Sequence, residues 1–294
     1  MMHWGDEVAS RVAARGPLVI GIDPDPRNAP PALGETDEHF GVAQTRALLD
    51  ADAGRTGFVK FQSAFFEAFG SEGVAALARS IALARERGYA VILDVKRSDN
   101  ATTCEAYARA YLTPAYHGGS DLEADCITLN AFLGPETLEP FVARARDHGK
   151  GIFVLVKTSN PGSAWLQDRV LGKDGDREIS VSEHVAGQVA AWAEETVGAR
   201  GVACVGAVIG ATFAEVALPL RARMPRSVFL APGLGPQGGD AAGTLALATP
   251  TGPVLVPVSR GLSAVPRDIP LADYREILSQ RLTELHGQLR VPAA

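Results

Sequence analysis

The chain has 294 residues, 46% of them apolar, so it can bury a sizeable hydrophobic core. Its net charge of −6 at pH 7 excludes a general electrostatic attraction to nucleic acid or to an anionic membrane surface. The 3 cysteines lie far apart and form no Cys-x-x-Cys pair, which argues against a disulfide framework and against a structural zinc site.

Both ends of the chain are predicted to be helical. Residues 1–15 form an amphipathic pattern with charges along its length, unlike a secretory signal or a membrane span. Residues 264–294 are predicted to form a C-terminal helical segment. We find no repeat, linker or domain boundary between them, so we expect one domain over 1–294 and a cytoplasmic protein that binds neither membranes nor nucleic acid.

Short apolar runs, separated by segments with helical periodicity, are predicted to be strands. In chain order they cover residues 17–23, 57–61, 89–95, 124–130, 151–157, 202–210, 227–232 and 253–259. Each run is almost continuously apolar, as in parallel strands that are covered by helices. After the second run, an apolar stripe of Val74, Leu77, Ile81 and Ala84 predicts a helix that ends at Gly88.

The alternation of these strands with helices predicts an α/β fold, a single-domain (β/α)8 TIM barrel. The competing architecture is a doubly wound sheet, which usually carries a G-x-G-x-x-G turn after its first strand. The corresponding sequence here, GIDPDPRN (21–28), lacks those glycines, which favours the barrel. The stretch 165–180 is the one long segment without a predicted element, and its Gly-Lys-Asp-Gly-Asp core predicts an exposed turn.

Charged residues follow the first three predicted strands, at the end of a barrel that carries function. The first strand ends in Asp23, the second in Lys60 and the third in Asp94 and Lys96, with Asp99 in the next loop. Residues two apart on a strand project to the same side, and neighbouring strands bring Lys60 close to Asp94. Two unit charges about 4 Å apart interact by about 4 kcal/mol at an effective dielectric near 20. The array could set a fixed cation beside a developing carbanion, or it could be a structural ion-pair network at the barrel rim.

The loops after the seventh and eighth strands suggest an anion site. They read PGLGPQGGD (232–240) and VSRG (258–261). Backbone N–H groups of a glycine-rich turn bind phosphate well, and Arg260 could add a bidentate contact. The alternative is that the glycines only make tight turns and that Arg260 pairs with a surface acid.

The segment LDVKRSDNATT (93–103) resembles the Asp-x-Lys-x-x-Asp-Ile-x-x-Thr signature of the orotidine 5′-phosphate decarboxylase family. The resemblance runs from about residue 16 to residue 263, in the right order. It includes the segments GIDPDP, VKFQSAFFEAFG, TLNAFLG, VLVKTSNPGSAWLQD, VIGAT, PGLGPQGGD and VSRG. The SNPGS and LQD elements after the fifth strand are most similar to the longer bacterial branch.

This resemblance implies cofactor-independent decarboxylation of orotidine 5′-phosphate to UMP in pyrimidine biosynthesis, with no metal and no organic cofactor. It implies that Lys96 stabilises and protonates the C6 carbanion and that Asp94 lies against the departing carboxylate. Lys60 and Asp99 would complete the charged array, with Asp99 reaching the neighbouring subunit's site in a homodimer with shared active sites. The remaining implied substrate ligands are Asp23 and Thr103 for the ribose, Ser159 for the pyrimidine, and Gln237 and Arg260 for the phosphate.

Several positions depart from the family pattern, but every charged residue of that pattern is retained. Ser98 stands where glycine is usual, Asn100 where an apolar residue is usual, Phe61 where proline is usual, and Ala131-Phe132 where Pro-Tyr is common. These departures fit either drift or a related decarboxylase that acts on a modified nucleotide in a specialised pathway. A catalytically silent nucleotide-binding barrel and the metal-dependent sugar-phosphate branch of the superfamily are further alternatives.

Overall fold

The computed structural model describes residues 2–35, 37–210, 214–234 and 240–289. The strands within these ranges are β1 (Leu18–Ile22), β2 (Phe58–Gln62), β3 (Ala90–Arg97), β4 (Cys126–Leu129), β5 (Gly151–Lys157), β6 (Val170–Asp174), β7 (Arg177–Ser180), β8 (Val205–Ile209), β9 (Phe229–Leu230) and β10 (Val254–Val258).

The α-helices of the same ranges alternate with the strands along most of the chain. They are α1 (Trp4–Arg15), α2 (Phe40–Asp52), α3 (Ser63–Glu67), α4 (Gly70–Glu86), α5 (Ala101–Leu112), α6 (Glu139–Asp147), α7 (Ala164–Gln167), α8 (Val181–Glu195), α9 (Ala214–Arg223), α10 (Ala241–Leu245), α11 (Arg260–Ser263) and α12 (Leu271–Gln288). None of these helices combines the length and the apolar character that a membrane span requires.

Eight of the strands close into a barrel in the order β1-β10-β9-β8-β5-β4-β3-β2. Every pair of barrel strands whose register is described is parallel. Each of the strands predicted from the sequence corresponds to one of these, because continuously apolar runs are typical of strands buried on both faces. The predicted (β/α)8 barrel is therefore confirmed.

A separate two-stranded sheet interrupts the barrel pattern after β5. Strands β6 and β7 pair antiparallel, and Gly175 at their turn has a φ of +62°. The prediction of an exposed turn is confirmed, but the prediction that 165–180 lacks regular structure is wrong. The sequence pattern does not predict the hairpin because it has no buried apolar run: Val170 and Leu171 are 51% and 59% exposed.

The predicted helix after β2 exists as α4, but one residue of its predicted stripe faces outward. Leu77, Ile81 and Ala84 are buried, whereas Val74 is partly exposed. Gly73 faces the core instead, since a Cβ atom there would lie 1.9 Å from the Phe66 carbonyl oxygen of α3. Only glycine permits this close approach of the two helices.

Contacts between Cα atoms group the chain into two compact units. We call Met1–Ser10 with Lys96–Val256 the first unit, and Arg11–Val95 with Pro257–Ala294 the second unit. The predicted assignment of 1–294 to one domain stays a prediction.

Aromatic side chains form part of the core of each unit. In the first unit, the Trp4 ring lies edge-on to Phe153 of β5 with 6.4 Å between centroids. In the second unit, Phe61 of β2 packs against Phe66 of α3 at 6.0 Å. Both members of this second pair are fully buried, and each such side chain contributes roughly 1.5–3 kcal/mol through burial.

The second unit also contains a buried carboxylate at the end of α2. Asp52 accepts hydrogen bonds from the Thr56 N–H (2.9 Å), the Thr56 hydroxyl (2.6 Å) and the Tyr89 hydroxyl (2.8 Å). His286 Nε2 of α12 lies 3.6 Å from Asp52 Oδ1. Burial raises the pKa of Asp52, but hydrogen bonds from His286, Thr56 and Tyr89 outweigh it and leave the pKa below its ordinary value.

Replacing Asp52 by asparagine is expected to lower the free energy of unfolding at pH 7 by about 2–3 kcal/mol, because the charged acceptor of three hydrogen bonds is lost. Since folding lowers the pKa of Asp52, its contribution is complete above the unfolded-state value of about 3.9 and is lost as pH falls through the lower folded value. Urea unfolding at several pH values should therefore show a difference that shrinks below about pH 4.

The neighbouring Asp50 provides the matched control. It forms a largely exposed ion pair with Arg87 at 2.5 Å, so Asp50→Asn should change stability by less than about 1 kcal/mol. Equal losses in the two variants would contradict the importance of the buried network.

Candidate active site

Three of the predicted site residues come together in the second unit: Asp23 directly after β1, Lys60 on β2 and Asp94 on β3. Lys60 Nζ lies 3.0 Å from Asp94 Oδ2, and the two side chains are only 8% and 9% exposed. The parallel register that places Gln62 opposite Asp94 brings them together, and the Gln62 amide donates to the same carboxylate oxygen at 3.0 Å. The predicted proximity of Lys60 and Asp94 is confirmed.

Asp23 adds a second negative charge beside Lys60. Burial lowers the pKa of Lys60, but the charges of Asp94 and Asp23 more than compensate, and the net pKa is raised. Lys60 is therefore a permanent cation at physiological pH. Asp23 Oδ1 is buried and accepts no hydrogen bond from any residue that the structure describes, so a hydroxyl group of a ligand could satisfy it.

Lys96 lies in the first unit, at the end of β3, and its backbone is unusual. It has a φ of +44°, in the left-handed region that non-glycine residues rarely adopt, and it is exposed. The backbone N–H of Lys96 donates to the Thr128 hydroxyl of β4 at 3.0 Å. Regular strand alternation, on which the sequence argument relied, therefore does not hold at Lys96.

The segment after Lys96 turns into α5 through a helix cap. The Asn100 side chain accepts a hydrogen bond from the Thr103 N–H at 3.1 Å and is the N-cap of α5. Asp99 is half-buried, and its carboxylate accepts from the Asn100 N–H at 2.7 Å. Ser98 does not have a positive φ, so the glycine usual there is not required by this backbone. Capping gives Asn100 a structural reason to be polar.

Replacing Asn100 by alanine is expected to lower the free energy of unfolding by about 1 kcal/mol, because the first turn of α5 loses its side-chain acceptor. Asn100→Ser retains an acceptor and should stay within about 0.5 kcal/mol of the unmodified chain. Chemical denaturation of the three proteins checks this. If alanine and serine were equally tolerated, the cap would not explain Asn100.

Ser159 lies in the turn after β5, and the SNPGS and LQD elements stabilise this turn. The Gln167 side chain accepts from the Thr158 N–H at 2.9 Å and donates to the Thr158 hydroxyl at 2.8 Å. Asp168 lies 2.6 Å from the buried Lys157 ammonium. Ser159 itself packs against Gly210, where a Cβ atom would lie 2.9 Å from it. The LQD element thus fixes the backbone before Ser159, and the Ser163 N–H of the SNPGS element donates to the Asn160 carbonyl after it at 3.0 Å.

The structure describes only one of the two predicted phosphate ligands, Arg260. Arg260 is the exposed first residue of α11, and Ser259 before it packs so closely against Gly21 of β1 that a Cβ atom on Gly21 would lie 2.0 Å from the Ser259 hydroxyl. Gln237 lies outside the described residues. The structure therefore gives a position for Arg260 only.

Sequence reasoning missed two residues that contact predicted site residues. Gln62 contacts Asp94, and the period of two along β2 could have revealed it, since it lies two residues after Lys60. Thr128 contacts Lys96, and its only signal was a hydroxyl in an otherwise apolar strand. Phe61 projects from the opposite face of β2 onto Phe66, so it belongs to the core and not to the face that carries Lys60. Within the described ranges, no group of three or more His, Cys, Asp or Glu side chains is placed to hold a metal ion.

Comparisons with known proteins agree with these motifs. Residues 16–262 match the model of the Orotidine 5'-phosphate decarboxylase / HUMPS family. The Corynebacterium glutamicum orotidine 5'-phosphate decarboxylase is 36% identical over 288 residues, which cover 97% of this chain and 99% of that protein. The Rhodopirellula baltica enzyme of the same name is 38% identical over 250 residues, covering 82% and 81%.

The same likeness extends to a solved structure. The Leishmania donovani OMP decarboxylase is 32% identical, with a TM-score of 0.68 and coverage of 97% of this chain and 99% of that one. The predicted resemblance is therefore confirmed, and the chain belongs to the orotidine 5'-phosphate decarboxylase / HUMPS family.

Proposed function

We propose that this protein is a carboxy-lyase that converts orotidine 5′-phosphate to UMP and CO2 in pyrimidine biosynthesis. The observation that carries the proposal is the buried Lys60–Asp94 pair beside Asp23, in a barrel of this family. If these residues belonged to a solvated loop, the side chains of Lys60 and Asp94 would be exposed to water and not buried.

The chemistry follows from where charge develops. The bond between C6 and the carboxylate breaks, CO2 leaves, and the electron pair stays on C6 as a carbanion that the ring delocalises poorly. Fixed charges in a site with little water stabilise such a carbanion best. We assign the proton transfer to the Lys96 ammonium, which gives its proton to C6 and takes another from solvent. Asp94 lies against the leaving carboxylate, and Lys60 holds Asp94 ionised.

The remaining roles concern binding. Asp23, whose buried Oδ1 accepts no hydrogen bond from the described residues, and Thr103 bind the ribose hydroxyls, and Ser159 binds the pyrimidine. Gln237 and Arg260 bind the phosphate. Because the phosphate is remote from the reacting carbon, the free energy of binding it can offset the cost of ordering the residues around that carbon. Decarboxylation of orotidine 5′-phosphate in the family's decarboxylase branch needs neither metal nor organic cofactor, and we propose the same here.

We further propose a cytoplasmic homodimer in which Asp99 serves the partner's site. Large apolar side chains are exposed after the ends of β4 and β5, where a second copy could cover them: they are Phe132, Leu133, Trp165, Val170 and Leu171. Mixing inactive Lys96→Ala and Asp99→Ala proteins should restore part of the activity if sites are shared. An inactive mixture would contradict the sharing.

The activity itself is tested by incubating the purified protein with orotidine 5′-phosphate in EDTA. The expected result is loss of substrate absorbance and formation of UMP. No turnover at high protein concentration would contradict the proposal, and Mg²⁺-dependent turnover of a keto-sugar phosphate instead would favour the sugar-phosphate branch.

A further inference from the structure

The backbone of Lys96 is strained. Among the described residues only Ala53 and Lys96 are non-glycine residues with positive φ, at +52° and +44°. Ala53 ends α2, a common place for this conformation. Lys96 instead lies within a strand, where the left-handed conformation costs about 1–2 kcal/mol and must be held by its surroundings.

Two hydrogen bonds from one neighbouring segment hold the backbone on both sides of the Lys96 Cα atom. The Lys96 N–H donates to the Thr128 hydroxyl at 3.0 Å. Two residues further along that segment, the Asn130 N–H donates to the Arg97 carbonyl at 3.0 Å. The two hydrogen bonds therefore fix the backbone at the N–H of Lys96 and at the carbonyl of Arg97.

The side chain of Arg97 strengthens the second contact. Its guanidinium group lies 5.2 Å from the Tyr107 ring centroid and donates to the Tyr111 hydroxyl at 3.1 Å, both on α5. The two tyrosine rings are themselves stacked, with 6.2 Å between centroids. Arg97 is thus held in place by its carbonyl and by its side chain. Because Arg97 is held, the change in chain direction is made by the positive φ of Lys96.

Thr128 is a polar residue in an apolar setting. It is 1% exposed, and its neighbours Ile127 and Leu129 on β4 are fully buried. A buried hydroxyl is unfavourable unless it is hydrogen-bonded, and valine has nearly the same shape without that cost. The bond from the Lys96 N–H gives the hydroxyl a function that valine could not perform.

From these contacts we infer that Thr128 is a positioning residue for Lys96: its hydroxyl holds the left-handed backbone that sets the direction of the lysine side chain. This inference rests on the proposed function for its catalytic consequence, but not for its structural one. A misplacement of about 1 Å in a reacting group can lower a rate about 100-fold, so a modest backbone change at Lys96 should be visible in kcat.

The test compares Thr128→Val, which removes the hydroxyl at nearly constant shape, with Thr128→Ser, which keeps it. For orotidine 5′-phosphate, valine should lower kcat by about 10- to 100-fold with KM and UMP affinity within about threefold, and serine should restore kcat to within about threefold. Thr196→Val is the control, because Thr196 is also buried in the first unit and its hydroxyl donates to the Trp192 carbonyl. It should leave kcat unchanged.

A crystal structure of Thr128→Val tests the inference without any activity, so its failure is distinguishable from failure of the proposed function. The expected result is a Lys96 φ that has moved to a negative value. A φ still near +44° would overturn the inference, as would a kcat equal to that of the unmodified chain, or equal losses with valine and serine. If the valine variant does not fold, Thr128→Ala provides the same readouts.

Discussion

Lys96→Ala is expected to lower kcat for orotidine 5′-phosphate by more than about 10⁴-fold, because in the proposed mechanism it removes both the proton donor and the cation that faces the C6 carbanion. The affinity for UMP should stay within about threefold, since UMP carries no carbanion for the lysine to stabilise. Single-turnover kinetics and UMP titration measure the two quantities separately.

Lys173 provides the matched control. It lies on β6 and is exposed, so Lys173→Ala removes one lysine without touching the proposed site. Its kcat should equal that of the unmodified chain. A Lys96→Ala protein that retains a tenth of the activity would remove Lys96 from the proposed mechanism.

Lys60→Met is expected to lower the free energy of unfolding at pH 8 by about 3–5 kcal/mol, because it removes the buried cation that lies against Asp94 and Asp23. It should also lower kcat/KM by at least about 10³-fold, since the charged array then loses its preorganisation. Urea unfolding and steady-state kinetics test the two effects.

The pH dependence of this loss has a definite sign. Folding raises the pKa of Lys60, so its contribution is complete below the unfolded value of about 10.4 and is constant between pH 5 and 8. The stability lost in Lys60→Met should therefore be the same at pH 5 as at pH 8, and it should shrink only as pH rises above about 10.

A double variant sharpens this prediction. Lys60→Met combined with Asp94→Asn neutralises one of the two carboxylates and should recover about 1–3 kcal/mol at pH 8. A double variant less stable than Lys60→Met alone would contradict the view that Lys60 offsets buried negative charge.

The barrel could be predicted because its strands are nearly continuous apolar runs, as in VILDV before Lys96. The Lys60–Asp94 contact was also predictable, since parallel register and a period of two place both residues at strand ends. The β6–β7 hairpin was not, because its strands are short and exposed. Gly73 shows a further limit: its burial depends on how closely α3 and α4 approach, and a periodic pattern of side chains does not report that distance.

Two features of the site could not be read from the residues. The left-handed φ of Lys96 is invisible in a sequence, because positive φ is expected of glycine and here belongs to a lysine held by its neighbours. The departures at Phe61 and Asn100 suggested a changed pocket, whereas Phe61 packs into the core and Asn100 caps α5. The folded backbone decides from which face of a strand a side chain projects. It also decides from which N–H group a side chain accepts a hydrogen bond.

The proposed mechanism is tested most directly by running the reaction in D2O and locating deuterium in the product. A Lys96 ammonium exchanges its protons with solvent, so the account predicts UMP with deuterium at C6, formed in step with CO2 release, and no UMP from Lys96→Ala. UMP that carries hydrogen at C6, or deuterated UMP formed equally fast by Lys96→Ala, would contradict it.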